Sequence, residues 1–159
     1  SEALRASEAQ FATMFQAAPF AMVLAAPPEY RIVQVNDAFL QLFGFARDEV
    51  LGKTEPELGI VHDVEAREQI ARLMQEQQAV RNYEYAAYGT DGALLHLSLN
   101  VNLVVIGNQP FVLTTVEDIT GRKQAAADAL FLAELGERIR LSEDPEQLLA
   151  TAAVLIGQY

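Results

Sequence analysis

The sequence predicts an α+β domain: a single five-stranded antiparallel sheet with helices on one face, preceded by a flanking helix and followed by a coiled-coil-like one. Three observations predict it. Five β-type runs are set off by turn signals, two before and three after a stretch of helical periodicity. One run, Leu95 to Leu103, alternates apolar and polar residues without a break. Amphipathic helical patterns flank the strands at both ends.

In chain order, residues 3–17 set Leu4, Phe11, Met14 and Phe15 at helical spacings, and Pro19 ends the pattern. Phe20–Ala25 is an apolar β-type run closed by Pro27 and Pro28. Residues 31–36 alternate as the second strand of a hairpin. Asn36 and Asp37 can cap a helix whose apolar face holds Phe39, Leu40, Leu42 and Phe43, and Gly44 ends it. Residues 47–51 form a further turn closed by Gly52. From Asp63 to Gln78, Val64, Ile70, Leu73 and Met74 fit a helix with a wet outer face. Val80–Tyr88 is the third strand. Asp91-Gly92 supplies the positive φ of a hairpin turn into the fourth. There Leu97, Leu99 and Val101 share one face, and His96, Ser98, Asn100 and Asn102 the other. Gly107-Asn108 turns the chain into 111–116. Gly121–Leu141 is a long helix with Leu132, Leu135 and Ile139 in a stripe. Asp144-Pro145 then begins a last helix.

Composition narrows the chemistry. The 159 residues contain no Cys, which excludes disulfides, thiolate metal sites, Cys nucleophiles and cysteinyl flavin photochemistry. The net charge of −11 repels nucleic acid and anionic membranes, and the acids are spread along the chain as a solubilising surface. The longest apolar run, 17–28, is interrupted by prolines and too short to span a bilayer. No leader peptide is visible, so a cytoplasmic location is expected. The opening Ser1 suggests a piece of a longer polypeptide. No P-loop, nucleophile elbow or H-E-x-x-H occurs, and acid pairs such as Asp48-Glu49 sit at helix starts or on loops, so no catalytic or metal-binding residue is expected.

Three motifs in register resemble a PAS domain. The first runs Ile32-Val33-Gln34-Val35-Asn36-Asp37-Ala38-Phe39, then Leu42-Phe43-Gly44-Phe45, then Glu49-Val50-Leu51-Gly52-Lys53. The second is the Gly89-Thr90-Asp91-Gly92 turn. The third, Glu117-Asp118-Ile119-Thr120-Gly121-Arg122-Lys123, resembles the signature that ends a PAS core and begins its signalling helix. The resemblance implies an N-terminal flanking helix over 1–18, a PAS core over 19–120, a linker helix over 121–141 and, from the likeness of 137–159 to the first helix of a GAF domain, the start of a GAF-like domain over 142–159. Asn36, Gly44, Gly52, Asp91 and Gly92 are its structural positions.

The resemblance further implies a sensor and dimerisation module of a multidomain bacterial signalling protein. Its output would be a histidine kinase of a two-component system, or a cyclic-dinucleotide enzyme. Asp118, Ile119 and Thr120 would relay the signal from sheet to helix. A small apolar ligand would sit among Phe39, Phe43, Ile70, Met74, Leu97, Leu99, Val101, Val112 and Thr114. Read from the residues alone, the same set is equally a filled hydrophobic core, which would make the domain a ligand-free docking module. No cofactor is identified. Haem is disfavoured because His62 precedes the long central helix and His96 faces away from Leu97; non-covalent flavin through Asn100 and Asn102 meets the same objection. A parallel homodimer is expected through Phe11, Met14 and Phe15 and through Leu132, Leu135 and Ile139.

Overall fold

The computed structural model describes residues 2–89 and 91–141. It holds two compact units, one up to Ile119 and one from Thr120. In the first, helix α1 (Glu2–Ala17) leads into strands β1 (Ala21–Ala26) and β2 (Arg31–Val35). Three short helices follow: α2 (Asp37–Phe43), α3 (Arg47–Val50) and α4 (Glu55–Leu58). Helix α5 (Val64–Gln77) precedes strands β3 (Ala79–Tyr88), β4 (Leu94–Ile106) and β5 (Gln109–Asp118). Every strand pairing is antiparallel, in the order β2-β1-β5-β4-β3.

Alternation sorts the strands' faces. Ala21, Val23, Val80, Leu97, Leu99 and Val116 point into the core, where Phe39, Val50 and Ile60 from the helical segment meet them. Each fully buried large side chain of this kind contributes roughly 1.5–3 kcal/mol. A bulge in β3 keeps the alternation in phase: Val80 pairs with Val101, and the next pair is Tyr83 with Leu99. Asn82 takes the positive φ (52°) at the bulge, and its N–H donates to Asn100 Oδ1 at 3.0 Å. Tyr83, Tyr85 and Ala87 are thereby returned to the inner face, packed against the core.

The junction of α1, β1, β2 and α2 is tied by Asn36, which is 0% exposed. Its Oδ1 accepts from the Met22 N–H at 2.9 Å and, as the N-cap of α2, from the Phe39 N–H at 3.0 Å. Its Nδ2 donates to the carbonyls of Phe15 and Phe20, both at 3.0 Å. Two donors and two acceptors are all engaged, which also fixes the orientation of the amide. Helix α2 ends on Gly44 at φ 74°, a left-handed position that a side chain would strain.

Helix α1 lies against the other face of the sheet. Glu8, Phe11 and Ala12 border a groove with Leu24, Val33 and Phe111, which alternate away from the core. Phe15 is 1% exposed and stacks on Phe11 at 5.7 Å. This corrects the expectation that Phe15 serves a dimer interface: the chain's own fold has already covered it. Phe11 is half-buried, and Met14 is left 72% exposed. In α5, Val64 is exposed where the helical pattern placed it inward, and Ala66 is buried instead.

The second unit contains α6 (Thr120–Leu141), 22 residues of which none is buried. Leu132 is 60% exposed, while Leu135 and Ile139 are half-buried. The expected Asp144-capped helix and GAF-like segment lie outside the described residues. No described helix is long and apolar enough to cross a membrane.

Candidate functional site

A cleft of about 830 Å³ opens between α5 and the sheet. Its floor is two cross-strand rows. Val101 pairs with Thr114, Leu103 pairs with Val112, and Val112 pairs again with Ala25. Ile70, Ala71 and Met74 form the wall from α5. They fall together because i, i+1 and i+4 lie on one side of a helix. The β1–β2 loop brings Glu29 and Tyr30 to the rim, and the start of α4 brings Thr54, Glu55 and Pro56.

Glu55 carries no periodic signal in the sequence. It enters on α4, a single turn whose N-cap Thr54 and N3 residue Glu57 form a capping box, with Pro56 in the first turn. Thr54-Glu55-Pro56-Glu57 carries that signature openly. What hid it was length: four residues with one apolar side chain give no periodicity. Burial pushes the Glu55 carboxyl above its ordinary pKa, opposed by a hydrogen bond from the buried Thr114 hydroxyl. Deeper in the same unit, the Tyr85 hydroxyl is buried and has no hydrogen-bond partner among the described residues. Burial first, and then the charge on Glu55, raise its pKa well above the usual tyrosine range. The other rim carboxylate, Glu29, is already paired with Arg31 at 2.6 Å.

Of the nine residues expected around a ligand, Ile70, Met74, Val101, Val112 and Thr114 line this cleft. The expectation for Phe39, Leu97 and Leu99 is corrected: all three are fully buried and fill the core. Phe43 rests on Phe39, with ring centroids 4.8 Å apart, and borders a separate, smaller cleft with Phe45, Ile60 and His62. The physical reason is depth along the strand. Leu97 and Leu99 lie toward the Asp118 end of the β4–β5 ladder, in the core cluster that holds Phe39, whereas the cleft opens toward the Leu103–Val112 end.

The cofactor questions raised by the sequence meet the same geometry. Neither His62 nor His96 lines the 830 Å³ cleft, so neither is placed to ligate a haem iron there. Asn100 accepts from the bulge amide of Asn82, and Asn100 and Asn102 alternate away from Val101, which forms the floor. A flavin held through these two amides does not fit this cleft.

At the far end of β5, Asp118 pairs with Leu97. Ile119 is buried, and its N–H donates to the His96 carbonyl at 2.8 Å. Helix α6 starts at the next residue, Thr120. Asp118 and Thr120 both have interactions of their own.

Sheet, helical segment and cleft define a sensor-type α+β domain. The family model for the PAS domain matches residues 19–121, and the chain belongs to that family. Among solved structures, it is similar to an RNA-binding Light-Oxygen-Voltage receptor, with 23% identity and a TM-score of 0.63 over 80% of this chain. The match spans only 37% of that receptor. The LOV protein of Rhodobacter sphaeroides matches over 97% of both chains at 19% identity, with a TM-score of 0.59. The LOV domain of the blue-light activated histidine kinase EL346 from Erythrobacter litoralis matches 65% of this chain and 98% of its own, at 21% identity and a TM-score of 0.53. At these identities the likeness is one of fold.

Proposed function

We propose that this chain is the cytoplasmic input and dimerisation module of a signalling protein, taking a small molecule in the cleft between α5 and the sheet and passing its occupancy through Asp118, Ile119 and Thr120 to α6. The observation that carries the reading is the cleft itself. It stands on β4 and β5, and β5 is the strand whose last residues run directly into α6. Its volume falls in the range of roughly 300–1,000 Å³ typical of small-molecule sites, with a mostly apolar lining and a few polar groups to orient a ligand. A change of strand position at Thr114 has four residues to travel before it meets Asp118. The output is a histidine kinase or a cyclic-dinucleotide enzyme carried elsewhere in the parent protein. The partner is a second copy, met through exposed leucines of α6.

Native mass spectrometry of gently purified protein tests the pocket. The expected result is a stoichiometric small molecule that is lost on denaturation. Protein that is ligand-free from every preparation, together with unaltered regulation of the parent on Asp118→Ala/Thr120→Ala substitution, would instead make this a constitutive docking domain.

A further inference from the structure

Resting on the reading of the cleft as a ligand pocket, we infer that it takes an amphipathic amine: an apolar body against Ile70, Met74 and Val112, with its ammonium group on the Glu55 carboxylate.

The selection follows from what the lining offers. Two carboxylates reach the cleft, Glu29 and Glu55, and among its described lining residues there is no Lys, Arg or His. Glu29 is already answered by Arg31, which also donates to the Gly52 carbonyl. Glu55 is answered only by a hydroxyl, that of Thr114. A carboxylate taken from water without a counter-charge is costly, and a ligand that brings the cation offsets that cost at the moment of binding. The Tyr85 hydroxyl, which feels the Glu55 charge, is buried and unpartnered and brings no positive charge either. Anionic ligands meet the opposite situation: they would set a second negative charge beside the uncompensated Glu55, in a chain of net charge −11. A hydroxyl compound can donate to the Glu55 carboxylate but leaves its charge uncompensated, and a carbonyl compound, which only accepts, cannot pair with the carboxylate at all. The apolar part of the site is set by Ala25, Val101 and Val112 below and Ile70, Ala71 and Met74 at the side, surfaces that suit a ring or short alkyl chain.

Three probes of one shape separate the possibilities: phenethylamine, phenethyl alcohol and phenylacetate, titrated into the full chain at neutral pH. Binding is read from the methyl NMR signals of Met74 and Ile70, with affinities from calorimetry. The expected result is that phenethylamine moves both methyl signals and binds at least about tenfold more tightly than the alcohol, the scale of one charge-assisted hydrogen bond. Phenylacetate should not bind. In Glu55→Gln, checked by an otherwise unchanged methyl spectrum, the amine's advantage over the alcohol should fall to less than about threefold, and Glu29→Gln should keep it. Equal binding of alcohol and amine, tighter binding of phenylacetate, or an amine preference that survives Glu55→Gln overturns the cation assignment while leaving the cleft a ligand pocket. No movement of the Met74 methyl with any probe at millimolar concentration overturns the assignment and the pocket reading together.

Discussion

Two polar side chains make opposite predictions: Asn36 ties the fold, and Glu55 lines the candidate cleft. Asn36 joins four backbone segments with one amide, and deleting it strands two N–H groups and two carbonyls, of which the Phe39 N–H and the Phe15 carbonyl are buried. At roughly 1–3 kcal/mol for each buried group left unsatisfied, and with partial relaxation, Asn36→Ala should cost about 3 kcal/mol or more. Asn36→Asp should cost at least as much, because it sets carboxylate oxygen against the Phe15 and Phe20 carbonyls. Urea unfolding with unchanged slope measures both; a loss below about 1 kcal/mol would mean that the neighbours re-pair without it. Glu55 makes a prediction of opposite sense. Its carboxyl pKa is raised in the native state above 4.5, so the native protein holds this proton more tightly than the unfolded chain does. The stability that it contributes is fully present below that ordinary value and is lost as pH rises through the raised one. Glu55→Gln cannot titrate. Its unfolding midpoint should lie near that of the parent in acid and above it at neutral pH; two curves that run parallel would show that burial does not perturb this carboxyl.

Secondary-structure elements were legible wherever they were long enough to repeat a pattern. β4 announces itself because Leu95, Leu97, Leu99, Val101 and Leu103 alternate with polar residues, and α5 because Ile70, Leu73 and Met74 return at helical spacing. α4 repeats nothing, so a four-residue helix shows in the sequence only as a capping box, and Glu55 within it is not marked as a site residue. The face of a strand was also legible, but the position of the cleft along it was not. Alternation assigns Leu97 and Val101 to one side equally; only the tertiary packing, which fills the Leu97 end of the ladder with core side chains, leaves the other end open. Phe15 was misplaced for a related reason. An amphipathic helix declares that its apolar face will be covered, without naming the cover, and here the domain itself provides it. On α6 the exposed Leu132 leaves that question open to a second copy. Leu132→Glu should shift a concentration-dependent dimer to monomer in sedimentation equilibrium without lowering the unfolding midpoint of the core; an unchanged dimer would move the interface elsewhere.

For the molecule as a whole, the proposed function requires continuity between the sheet and the helix that leaves it. The cleft, the β4–β5 ladder and the Ile119 anchor all lie in one unit, and α6 follows with no intervening linker residues. The net charge of −11 disfavours association with polyanions, in keeping with the proposed small-molecule and protein partners. Transmission requires that the last hydrogen bond of the sheet, from the Ile119 N–H to the His96 carbonyl, persist while α6 is displaced. Amide hydrogen exchange at Ile119 and through the first turn of α6 tests this most directly. Rigid continuity predicts protection there as strong as in the middle of β5, at Leu113 to Val116. Exchange at Ile119 to Lys123 as fast as in an open loop would show a slack joint, through which no strain in the sheet reaches the helix.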